Sequence, residues 1–157
     1  MAEPRLHAAH PGTLDAATLY RILQLRVAVF VVEQHCPYPE LDGRDLEPGA
    51  EWLWAGQDGT VLATLRMLRE PDGTVRIGRV ATDPAARSRG LAGRLMEFAL
   101  DRLGGTVDVV LDAQSPLAGW YQRFGFRRSG ADYVEDGIPH VPMRRAAAGL
   151  SGTAGTP

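Results

Sequence analysis

Apolar positions recur along this 157-residue chain at two spacings, three-to-four and two, and the switches between them mark its elements. Residues 5–8 read as a short strand and His10-Pro11-Gly12 as a turn. Leu19, Ile22, Leu23, Arg26, Val27, Phe30 and Val31 then keep helical spacing. Residues 27–32 are β-branched enough for a strand, but the longer period favours a helix over about 15–34. Thr13 is its expected cap, with Asp15 near the positive end. Prolines and glycines make residues 35–50 a loop. Residues 51–55 alternate as a strand, Asp58-Gly59 signals a hairpin, residues 61–69 form the partner, and Pro71-Asp72-Gly73 turns the chain again. With the strand that follows, to Ala81, this predicts a three-stranded antiparallel meander.

The next unit is strand, turn, helix. Asp83-Pro84 stops the strand, because proline brings no ladder donor. Leu91, Leu95, Phe98, Ala99 and Leu103 then recur at helical spacing up to a Gly104-Gly105 stop. Residues 107–112 alternate as a strand parallel to the previous one, a β-α-β crossover expected to be right-handed. A short helix over 117–124 ends at Gly125, and strands over 126–134 and 140–144 close the chain around Asp136-Gly137. The arrangement is one domain, residues 1–145, with residues 146–157 expected as a frayed tail.

Composition narrows the function classes. A hydrophobic share of 45% and a net charge of −2 suit a globular chain and give no nucleic-acid footprint. All 17 basic residues are Arg. A single cysteine, Cys36, excludes an internal disulfide and suggests a reducing compartment. No apolar run approaches a membrane span and no secretory core is visible near the start, so a cytoplasmic protein without membrane association is expected. The acids Glu40, Asp42, Asp45, Glu47 and Glu51 do not follow the calcium-loop pattern; they read as a solvated loop or, alternatively, a substrate-facing acidic patch. No metal site is expected.

The candidate chemistry lies in Arg87-Ser88-Arg89-Gly90-Leu91-Ala92-Gly93. The first turn of a helix leaves N–H groups unpartnered at a partly positive end, so a phosphate or pyrophosphate is its natural guest. Gly90 and Ala92 allow close approach to the backbone, and Arg87 and Arg89 add charged donors. Neither the Walker nor the dinucleotide glycine pattern fits. The spacing resembles the acyl-coenzyme A loop of the GCN5-related N-acetyltransferases (the GNAT family): Arg or Gln, two residues, Gly, one residue, Gly or Ala, filled here by Arg87, Gly90 and Ala92. Trp120-Tyr121-Gln122-Arg123-Phe124-Gly125-Phe126 resembles the family's second signature, and residues 25–43 resemble its ElaA-like branch.

The resemblance implies an α/β (α+β) GNAT fold: a mixed, mostly antiparallel sheet with a central parallel pair and flanking helices. It implies an N-acetyltransferase of the EC 2.3.1 class, using acetyl-CoA and a small-molecule or peptide amine, as a monomer or homodimer. Val80, Ala81 and Thr82 would bond the pantetheine arm, and residues 87–93, from Arg87 and Ser88 through Leu91 to Gly93, would hold the pyrophosphate. Tyr121 would be the general acid that protonates the leaving thiolate, chemistry that a phenol near its usual pKa of ~10 can perform. Ser88 and Ala92 depart from the glycines common in the family. The acceptor side is less defined. Glu33, Glu51 and Glu70 are candidate bases by position, and His140, within an Asp136-Gly137-Ile138-Pro139-His140 run found in the ElaA-like branch, is a substrate-side candidate or a satisfied strand histidine. A non-catalytic acyl-CoA sensor is the alternative; Tyr121 favours the enzyme.

Overall fold

The computed structural model of the chain describes residues 3–148. Strands β1 (Arg5–Ala9), β2 (Glu51–Gln57), β3 (Thr60–Arg69) and β4 (Val75–Thr82) run antiparallel in sequence order. The sheet continues through β5 (Val109–Gln114) and β8 (Ile138–Arg145), and β8 takes β6 (Arg127–Arg128) and β7 (Tyr133–Glu135) on its far edge. Among the described residues only β4 and β5 pair in parallel, and helix α2 (Leu91–Leu103) connects them. The mixed sheet with one parallel pair and flanking helices is the expected fold class.

Both faces of the sheet are covered, and strand alternation decides what each face meets. Leu53 and Ala55 of β2 turn toward α2, whose Leu91, Leu95, Met96, Ala99 and Leu103 form its buried stripe. Trp52 and Trp54 turn the other way, onto Ile22 and Leu25 of α1 (Ala16–Val27). Each fully buried leucine or methionine stabilises by about 1.5–3 kcal/mol over an exposed one, so the α2 stripe is a principal clamp on the central strands.

Several boundaries differ from the sequence expectations. Asp15, not Thr13, caps α1: its side chain accepts from Thr18 N at 2.7 Å, while Thr13 ends a preceding 3-10 turn. The helix expected to residue 34 widens after Val27 into a π-helix, Ala28–Glu33. Its valines, Val29, Val31 and Val32, are stiff at χ1 and crowd an α-helical turn. The strand expected from 107 begins at Val109. The helix expected over 117–124 is a 3-10 turn followed by α3 (Ala118–Gln122). The strand expected over 126–134 breaks into β6 and β7. Pro142 accepts from Ser129 N through its carbonyl on that side and has no N–H to return, so the ladder fails there. Residues 146–148 are tied down rather than frayed, since Ala147 N donates to Asp108 and Ala148 N to Gly105 O; the rest of the expected tail lies outside the described residues. Among the described residues no helix is long and apolar enough to cross a membrane.

Candidate active site

The parallel pair is short. Val75 pairs with Val109 and Arg76 with Val110, and beyond them the strands part. A bulge in β4 accompanies the parting: Arg66 faces Gly78 and Thr64 faces Ala81, so Arg79 and Val80 together oppose Leu65. Arg79 adopts φ 52, unusual for a residue with a side chain. The β4 backbone groups beyond Arg76 that face β5 therefore have no strand partner there. A cleft of about 590 Å³ opens between the strands.

One wall of this cleft is β4 itself, with Val80, Ala81 and Thr82. Arg87, Ala92, Tyr121 on α3, Glu33 and His140 also line it. The structure thus brings together eight of the residues expected at the site. Ser88, Arg89, Gly90, Leu91 and Gly93 contribute differently. Gly90 is the N-cap of α2 at φ 73, with no side-chain cap bond, so the first amides of the helix are uncapped. Ser88 also has positive φ, at 68°, a conformation that glycine adopts without steric cost. Leu91 is a core residue, Gly93 faces Phe124, and Arg89 reaches Gln57.

Tyr121 is held by aromatic packing against Trp120 and Phe126 and is 7% exposed. Burial pushes its phenol up to about 12. Its hydroxyl has no hydrogen-bond partner among the described residues, yet it is not sealed from solvent. It therefore stays protonated across the neutral range with its proton available.

The acidic loop is not the solvated surface that was expected. Glu40 and Asp45 are buried, and the loop is bolted inward by arginines. Arg26 donates from Nε to Glu40 at 2.6 Å and from Nη1 to Asp45 at 2.9 Å. Arg66 reaches Asp42 and Asp45, and Arg79 reaches Glu40 and Asp42. Trp52 Nε1 donates to Asp45 at 2.9 Å, and Arg79 lies over the Tyr38 ring. Burial opposes ionisation of Asp45, but the Arg26 bonds outweigh it and hold the carboxyl below its ordinary range. Tyr38, Arg66 and Arg79 line the cleft, so this network builds a wall of the site that sequence reading missed. The available signal was Arg26, a charge on the apolar stripe of α1 opposite a loop rich in acids.

The remaining acids are committed elsewhere. Glu51 pairs with Arg102, and Glu70 with Arg44 and Arg76. Glu33 pairs with Arg87, whose hydrogen bonds hold its carboxyl below the usual range. Among the described residues no three His, Cys, Asp or Glu side chains group to hold a metal.

Known proteins carry this architecture. A solved acyl-CoA N-acyltransferase from Pseudomonas aeruginosa superposes with a TM-score of 0.86 at 46% identity, covering 92% of this chain and all of that one. The crystal structure of Escherichia coli ElaA gives 0.85 at 36% identity, covering 91% and 99%. A UPF0039 protein of Mycobacterium tuberculosis is 48% identical over 140 residues, 87% of this chain and 89% of its own. The family model described as the acetyltransferase (GNAT) domain matches residues 20–147. With the split parallel pair, the uncapped helix start and this span of similarity, the chain belongs to the acetyltransferase (GNAT) family, in its ElaA-like branch.

Proposed function

We propose that the chain is an N-acetyltransferase that moves an acetyl group from acetyl-CoA to a primary amine by direct attack in a ternary complex. The observation that carries this reading is the sharing of one cleft by the opened β4 edge, Arg87 and Tyr121. An extended thioester arm would complete the missing ladder along Val80, Ala81 and Thr82. The pyrophosphate would sit on the uncapped amides after Gly90, with Arg87 and Arg89 as charged donors. The β4 N–H groups would stabilise charge on the thioester oxygen as the amine adds. Tyr121 would then donate its proton to the departing sulfur. The acceptor amine enters from the side of His140, where Glu33 also borders the cleft; Glu33, held ionised by Arg87, is better placed to orient that arginine than to take a proton.

The test is thiol release from acetyl-CoA across a panel of amines, with coenzyme A binding measured in parallel. Amine-dependent release supports the transferase. Binding with no release for any amine would leave an acyl-CoA sensor.

A further inference from the structure

We infer that His140 is the general base of the proposed transfer, acting through Nε2 in a tautomer fixed by its own strand; this rests on the transferase reading above. The ring's Nδ1 lies 2.7 Å from the carbonyl oxygen of Ile138. A carbonyl can only accept, so Nδ1 carries the hydrogen and Nε2 carries the lone pair in the neutral ring. Nε2 has no hydrogen-bond partner among the described residues and is not closed off from solvent. The ring lines the same cleft as Tyr121. It also stacks on Tyr133, with centroids 5.5 Å apart and planes 17° from parallel. Tyr133 in turn stands near Asp112 on β5, and burial, with that carboxylate nearby, keeps the phenol protonated. Tyr133 is thus a positioning residue, and the histidine plane is set from two sides.

The charges around the ring are mixed. Asp112 on β5 is paired with Arg76 from β4 at 2.7 Å. Glu135 at the end of β7 and Asp136 in the turn after it line the same cleft, as does Cys36 from the loop after the π-helix, its thiol donating to the Asp136 carbonyl at 3.7 Å.

In the step itself, the lone pair of the neutral amine forms a bond to the thioester carbonyl carbon. Nε2 takes the N–H proton, giving an imidazolium that still donates from Nδ1 to Ile138. The carbon–sulfur bond then breaks, its electron pair leaves on sulfur, and the Tyr121 proton neutralises the thiolate. Amide and free thiol result. The imidazolium proton returns to the phenolate through water, restoring both groups.

Two measurements on the whole chain test the assignment. Nitrogen-15 NMR of the histidine rings at neutral to alkaline pH is expected to show His140 with hydrogen on Nδ1 and a bare Nε2; hydrogen on Nε2 overturns the proposal. The second follows thiol release against pH with the best amine of the panel. His140→Gln is expected to lower kcat/KM by about 10²–10⁴-fold and to remove the acid limb of the profile, with coenzyme A affinity unchanged. An acid limb that persists in His140→Gln overturns the base while leaving the transferase intact. Coenzyme A binding without thiol release by the wild-type chain overturns both. Should His140→Gln fail to fold, the ring tautomer of the wild-type chain still decides.

Discussion

Glu33 and Arg87 face each other in a two-pronged ion pair, Nη1 to Oε2 at 2.8 Å and Nη2 to Oε1 at 2.7 Å. The pair joins the end of the π-helix to the turn before α2, and Arg87 also donates from Nε to the Thr82 carbonyl. A pyrophosphate at the start of α2 must share that guanidinium with Glu33. Glu33→Gln is therefore expected to tighten coenzyme A binding. Both groups are about two-fifths exposed, so the gain is small, up to about fivefold, as for exposed ion pairs worth about 0.2–1 kcal/mol. Calorimetric titration checks it. Loss of acetyl transfer at unchanged coenzyme A affinity would instead put Glu33 on the acceptor side.

Tyr121→Phe removes only a hydroxyl that has no protein partner among the described residues, and leaves the packing on Trp120 and Phe126 in place. The melting temperature is expected to hold while kcat falls by about 10²–10⁴-fold. Because burial pushes the phenol up to about 12, the acid form persists through the neutral range. Any loss of rate from Tyr121 ionisation belongs near that pH and not at 8 or 9. An unchanged kcat in the variant sinks the role.

Asp45→Ala strips a carboxylate that accepts from Arg26, Arg66 and Trp52. Removing one partner of a buried pair strands the others, so about 3–5 kcal/mol of stability should be lost. The pH dependence follows from the same group. Asp45 and Asp42 have folded-state carboxyls held below their unfolded values, against burial, by their arginine bonds. Their contribution is fully present above the unfolded carboxylate range and is lost as the pH falls through the lowered folded values. Chemical denaturation between pH 7 and pH 2 should show stability declining, with a smaller decline in Asp45→Ala.

Gly90→Ala tests the turn. A Cβ there meets nothing within 4 Å, so the folding cost is that of a side chain at φ 73, about 1–2 kcal/mol. The added methyl also stands beside the uncapped amides of α2. Coenzyme A affinity should fall by more than the modest stability loss explains, measured by titration beside thermal melting.

Most of the architecture was legible because it rests on local rhythm. The stripe of Leu91, Leu95, Ala99 and Leu103 and the alternation in β2 and β3 each declare a buried face. Tyr121 and residues 80–82 were singled out through a family resemblance, and in the structure they line one cleft. The arginine–carboxylate wall was not. Arg26 and Glu40 lie 14 positions apart and Arg79 and Glu40 39 apart, and no periodicity links a loop acid to a distant guanidinium. The bulge at Arg79 was hidden for a related reason, since its positive φ is held by contacts from the loop and not by a glycine.

The two rungs between β4 and β5 make the eight strands of the described residues two panels on a short seam. In the proposed complex, a molecule threaded along that seam would bond to the first panel through its backbone and meet Tyr121 of α3 across the opening. It would act as a keystone as well as a reagent. Filled, the sheet should come apart as one body; empty, it should yield first along this line.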